Sequence, residues 1–105
     1  MERNESILIG FLGDQPFTRV VDFLLENMDF DYSKTEIARG AEIGWTTLYK
    51  VWGRLEEFEI VKPTRRYGKT QLYKVNKENP VVKKLLSLEM ELIEQYSPAH
   101  KAQAA

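Results

Sequence analysis

The hydrophobic period of this chain changes twice, and that pair of changes limits the folds open to it. From Pro16 to Phe58 large apolar residues recur at three- and four-residue intervals, the spacing that lines one face of an α-helix. From Glu59 the pattern shortens into two runs, Ile60–Arg65 and Gln71–Val75, which read as strands. Between them lies the cationic, glycine-centred turn Arg66-Tyr67-Gly68-Lys69-Thr70. After Asn79-Pro80 the helical period returns and holds to Tyr96. Helices, one hairpin and a further helix, in that order, predict an α+β, mainly helical domain.

Punctuation residues divide the helical part. Pro16 suits a first helical turn, where its missing N–H would have no acceptor, and Phe17, Val20, Val21, Leu24, Leu25 and Met28 supply one stripe. Ser33-Lys34-Thr35-Glu36 has capping-box spacing and predicts a short helix to about Arg39, with Gly40 and Ala41 turning the chain and Ile43 buried in the turn. Gly44 opens the next helix, Trp45 to Phe58, whose inner face is Leu48, Val51, Trp52, Leu55 and Phe58. Pro63 costs a ladder donor and predicts an edge strand or a bulge. Asn79 caps the final helix, whose stripe Val81, Leu85, Leu88, Leu92 and Tyr96 is widened by Val82, Leu86 and Ile93 before Pro98 ends it. The first fourteen residues read as an arm: Ile7, Leu8, Ile9, Phe11 and Leu12 are interrupted by Gly10 and Gly13, so no long regular element is expected. Those apolar groups should pack on a helix of this chain or of a partner. The division is then 1–14 arm, 15–78 central domain, 79–97 C-terminal helix and 98–105 tail.

Several function classes fall away. Without cysteine there is no disulfide, thiolate site or cysteine nucleophile. His100 stands alone in the tail, and no phosphate loop, dinucleotide motif or acid–base pair calls for an enzyme, so neither a metal nor any cofactor is expected. Asp29 and Asp31, with Asp22 and Glu26 upstream, lack calcium-loop spacing and read as a solvated acidic connection. The longest uncharged stretch, Ser6 to Gly13, has eight residues and cannot span a bilayer, and no export signal is evident, so a cytoplasmic address and no membrane partner are expected.

The formal net charge of −1 conceals a segregation. Residues 1–32 carry two basic and seven acidic groups, residues 33–84 twelve and six, and residues 85–105 one and three. The middle is positive and both ends are negative, a pattern suited to a partner of high negative charge. The two central helices have the length and spacing of a helix-turn-helix, in which the second helix enters the DNA major groove. Its outward side would carry Trp45, Thr46, Tyr49, Lys50, Gly53 and Arg54, with Glu56, Glu57 and Glu59 at or beyond the far end. Lys50 or Arg54 can donate to guanine edges or to phosphate, Thr46 can donate or accept, and Tyr49 can reach phosphate or sugar. Trp45 could lie on the backbone or a thymine methyl, and Gly53 permits close approach. The hairpin adds Lys62, Arg65, Arg66 and Lys69 for phosphate, with Gly68 letting the turn project and Tyr67 able to lie along the minor groove.

The stretch Ser33–Val75 resembles the winged helix-turn-helix domain of small archaeal and bacterial transcriptional regulators of the ArsR/MarR-like superfamily. The resemblance rests on Thr47-Leu48-Tyr49-Lys50, on Leu55-Glu56-Glu57-Phe58-Glu59-Ile60-Val61, on Thr64 to Val75 and on Asn79 to Leu85. It implies a three-helix core, a two-stranded β-hairpin wing and a C-terminal dimerisation helix. Members of that family usually dimerise through terminal helices. Carried over, this assigns the dimer contact to Ile7, Leu8, Phe11 and Leu12 of the arm with Val81, Leu85, Leu88, Leu92, Ile93 and Tyr96. Where the family commonly has a small residue and then glycine, this chain has Phe58 and Glu59, which predicts a less left-handed backbone at Glu59 or some strain. The expected function is a homodimeric, sequence-specific regulator occupying a pseudo-palindromic operator in double-stranded DNA, with a small-molecule effector left open. A winged-helix module that binds another protein in a transcription or DNA-segregation complex is the competing reading.

Overall fold

The computed structural model describes residues 6–96, so the expectations for Pro98, His100 and the tail lie outside the described residues. The elements are α1 (Ile7–Leu12), α2 (Pro16–Glu26), α3 (Lys34–Ala41), α4 (Trp45–Glu57), β1 (Val61–Tyr67), β2 (Thr70–Val75) and α5 (Pro80–Tyr96). From α2 to α5 their order and types are those the hydrophobic period predicts. Leu24, Ile37, Leu48 and Leu55 meet at the centre, where α2, α3 and α4 converge, and Ile60, Val61 and Val75 extend that core under the hairpin. No helix among the described residues is long and apolar enough to cross a membrane.

The arm contains a short helix. The Ser6 side chain accepts from the Ile9 N–H, and α1 packs on both α2 and α5. Leu8 is completely buried and Ile9 nearly so, which makes them part of this chain's own core. Leu92 of α5 is buried there too.

Three boundaries differ from the sequence reading. Gly40 and Ala41 do not turn the chain but complete α3, and the turn follows at Glu42, whose φ of 60° is left-handed. Gly40 is required for packing, since a Cβ there would stand 2.2 Å from the Phe23 ring. Phe58, expected in the core, is 55% exposed. Helix α4 ends one residue earlier, and the Ile60 N–H bonds back to the Leu55 carbonyl while the Glu59 N–H bonds to that of Glu56. This Schellman closure buries Ile60 against Leu55 in the place Phe58 would have taken. It also needs a left-handed residue, and Glu59 supplies it with φ 55°, so of the two expectations at this position the strained backbone is the one found. Asn76 and Asn79 donate side-chain hydrogen bonds to the Glu59 carbonyl and hold it there.

The third difference is the hairpin turn. Tyr67 pairs with Thr70, leaving only Gly68 and Lys69 as the loop. Gly68, with φ 64°, occupies the first loop position, where two-residue hairpins of the II′ class take glycine. The irregularity that Pro63 foreshadowed is a bulge: Thr64 and Arg65 together oppose Leu72, between the pairs Pro63–Tyr73 and Arg66–Gln71.

Candidate nucleic-acid interface

The interface is built on α4 and the hairpin. Leu48, Val51, Trp52 and Leu55 anchor the inner side of α4. At helical spacing this leaves Trp45, Thr46, Tyr49, Lys50, Gly53 and Arg54 outward, and all six are exposed. Trp45 and Tyr49 are 51% and 69% exposed, large aromatic areas left open by the described residues. Gly44 caps α4 without a side chain, so the first-turn N–H groups stand open beside Trp45 and Thr46. Within that set Arg54 behaves differently: its guanidinium lies 4.4 Å over the Phe17 ring of α2. Lys50 makes no ion pair among the described residues.

The hairpin is fastened at its base and open at its tip. Tyr32, in the loop before α3, exchanges two backbone hydrogen bonds of 2.8 Å with Tyr73 of β2. One residue earlier, Asp31 accepts from Thr64 Oγ1 at 2.6 Å and from Arg65 Nε and Nη2 at 3.0 and 3.2 Å. In a regular strand adjacent side chains point to opposite faces, and the bulge allows both to reach one carboxylate. The hydrogen bond from Arg65, then that from Thr64, hold the Asp31 carboxyl below the usual carboxylate range. Lys62 pairs with Glu78 at 3.0 Å and Lys77 with Asp29 at 3.2 Å.

These contacts sort the expected cations. Lys62 and Arg65 are brought to the wing but are each matched by a carboxylate, while Arg66 and Lys69 at the tip have none among the described residues. Arg66 reaches only Gln71 Oε1 and the Lys69 carbonyl, at 3.4 and 3.5 Å. Tyr67 beside them is 78% exposed. The acidic connection is correspondingly not just solvated: Asp31 is a structural clamp, and Asp22 is buried on α2. Sequence reasoning also passed over Lys34. Its ammonium stands 4.9 Å from the Trp52 ring centre and 5.8 Å from that of Tyr73, beside an open cleft of about 250 Å³ between the start of α3, Trp45 and the wing residues Thr70 and Gln71. A lysine opening a capped helix carries no local sign that two aromatic residues will meet it.

An exposed apolar surface on α1 and α5 stands apart from this face. Phe11, Leu12, Val81, Met90, Ile93 and Tyr96 of α1 and α5 are exposed large hydrophobics, with Leu85 and Leu88 partly buried behind them and Ile7 partly buried on α1. Leu8 and Leu92 are therefore corrected from partner contact to internal core, because α1, α2 and α5 close over them.

Three helices, a tight connection and a two-stranded wing ahead of a terminal helix define a winged helix-turn-helix fold. No family model matches the chain, and no curated protein matches it. Solved structures share the architecture. MepR, a transcription regulator of the Staphylococcus aureus multidrug efflux pump MepA, superposes with a TM-score of 0.61 at 15% identity, over 92% of this chain and 76% of its own. A homodimeric winged helix-turn-helix DNA-binding domain from Mycobacterium bovis, described as a possible ArsR-family regulator, gives 0.58 at 16% identity over 91% and 94%. A possible transcriptional regulator from Methanosarcina mazei gives 0.55 at 16% identity over 78% of each chain. At these identities the likeness establishes the fold.

Proposed function

We propose that this chain is a sequence-specific double-stranded DNA-binding protein that acts in the cytoplasm as a homodimer and regulates transcription by occupying its operator, with no bond made or broken. The observation that carries this is the outward side of α4: two exposed aromatic rings, a hydroxyl and an unpaired lysine in its first two turns, with the glutamates at its far end. Such a face offers donors and stacking surface to base edges without an acid to repel phosphate. Arg66 and Lys69 at the wing tip would bind phosphate, and Tyr67 would lie against sugar or the minor groove. Residues 15–78 would form the DNA-binding unit. The exposed apolar side chains of α1 and α5 would meet their copies in the partner, as the homodimeric state of the M. bovis domain encourages.

Mobility shift against mixed duplex fragments at low salt tests the reading, with the fold checked by circular dichroism. Retarded duplex whose affinity falls as salt rises is expected. A folded protein that retards no duplex at low salt would overturn the reading in favour of a protein-binding module.

A further inference from the structure

Away from the interface, α2 and α5 bring three acidic side chains together. Asp22 and Glu26, one helical turn apart on α2, meet Glu89 of α5, and one carboxylate oxygen of each lies within 4.8 Å of the other two. Asp22 is only 8% exposed and its Oδ1 has no hydrogen-bond partner. A buried carboxylate oxygen left without a donor is costly, and two further carboxylates beside it add repulsion. The compensation in place is partial. Ser6 and the charge of Arg19 act on Asp22, but Arg19 is engaged by Asp14 at 2.6 Å and Glu42 at 3.4 Å. Burial raises the affinity of all three carboxyls for protons, and the charge of Asp22 reinforces this at Glu26 and Glu89.

We propose that Asp22, Glu26 and Glu89 form a binding site for one hard divalent cation, bridging α2 to α5. The donor set is all oxygen, the choice of hard cations over zinc or copper. Opposite ligands of a six-coordinate ion lie about two bond lengths apart, roughly 4.8 Å for calcium and 4.2 Å for magnesium. Three carboxylate oxygens within 4.8 Å of one another can therefore share one such ion without backbone movement. Two positive charges leave a net of −1 from three carboxylates and offset the cost of burying the Asp22 carboxylate. Glu26 is exposed, so water can complete the coordination. Neither residue pair gives this away in sequence, because the third ligand arrives only when α5 packs on the body. Since α5 also carries exposed apolar residues, the ion would fix the helix on which Met90 and Ile93 are displayed. That last consequence, unlike the site, rests on the proposed dimeric function.

The test is a Mn2+ titration of the free protein at neutral pH, read by electron paramagnetic resonance, with Ca2+ as competitor and thermal melting alongside. One Mn2+ per chain displaced by Ca2+ is expected, together with a melting temperature that rises with either ion. Glu89→Gln and Glu26→Gln, isosteric changes at incompletely buried positions, should each weaken binding by at least about tenfold, since even outer partners of a metal cost that much. Circular dichroism verifies that both variants fold. No bound Mn2+ at millimolar concentration, or binding undiminished in both variants, would overturn the site. So would a wild type that binds no ion while the variants melt higher, which identifies carboxyls sharing protons. The readout uses no DNA, so it is separate from the fate of the DNA-binding reading.

Discussion

Around the first two turns of α4 and the wing tip the exposed large side chains are Trp45, Tyr49 and Tyr67, set among cations, whereas along α1 and α5 they are Phe11, Leu12, Val81, Met90, Ile93 and Tyr96, the last three set among Glu89, Glu91 and Glu94. The first set offers hydroxyls, an indole N–H and positive charge, which suit a polar anionic partner. The second offers aliphatic and aromatic surface with acids around it, suited to another apolar face and repelled by phosphate. A formal net charge of −1 is the sum of these two unlike surfaces and describes neither. The difference also shows in how each is supported. The wing is clamped through Asp31 and Tyr32, while α1 and α5 are held by a few fully buried side chains such as Leu8 and Val82.

Substitutions can break or sharpen this contrast. The largest effect is expected inside the apolar face: Leu8→Ala should cost about 2–5 kcal/mol of stability, as for other buried leucines, whereas Phe11→Ala should change it by less than about 0.5 kcal/mol and weaken self-association instead. Urea unfolding at low protein concentration separates the two, and equal losses would erase the distinction between core and surface on α1. Next, Met90→Asp with Ile93→Asp should raise the dimer dissociation constant about thirtyfold or more, the equivalent of about 2 kcal/mol at a central interface position. Sedimentation equilibrium reads this, and unchanged association would move the dimer contact elsewhere. Lys50→Ala should cost about 1–3 kcal/mol of DNA affinity if it reads a base, with altered sequence preference, and a uniform loss across sequences would reassign it to phosphate.

Smaller effects distinguish base from tip within the wing. Arg66→Ala and Lys69→Ala should each lower the slope of log affinity against log salt by about 0.9, while Arg65→Ala, already neutralised by Asp31, should lower it less. Equal slopes for all three would show that the clamp opens on DNA. The smallest effect concerns pH. Because Arg65 and Thr64 depress the Asp31 carboxyl in the folded state, its contribution is present above the ordinary carboxylate value and lost as pH falls through the lowered one. The melting-temperature difference between wild type and Asp31→Asn should accordingly be greatest near neutrality and shrink below about pH 4. A constant difference would mean that the charge of Asp31 contributes nothing.

What could be read from sequence follows the range of the forces involved. Pro16, the Ser33–Glu36 box and the Asn79 cap act within one turn, and each marks the start of its helix correctly. The outward side of α4 was legible for the same reason, since it is the complement of a clear apolar stripe. Distant contacts left no such trace. Gly40 is a glycine because the Phe23 ring fills the place of a Cβ, not because the chain turns there, and Phe58 lies outside because Ile60 closes the Schellman turn. The hairpin ladder reaches Tyr67 and Thr70 through a polar run that has no hydrophobic alternation to announce it. Lys62, Arg65 and Arg54 looked equivalent to Lys50, Arg66 and Lys69, yet carboxylates or a ring from other elements occupy the first three. Charge counts locate cations but do not identify which remain free.

Selection of bound duplexes from a random pool by the purified protein tests the central claim most directly, because it asks at once whether DNA binds, whether sequence matters and whether two copies act together. Enrichment of two-fold symmetric sites with half-sites about one helical turn, roughly 10–10.5 base pairs, apart is the predicted result. A pool that remains unenriched at low salt, with the protein folded throughout, would contradict the account.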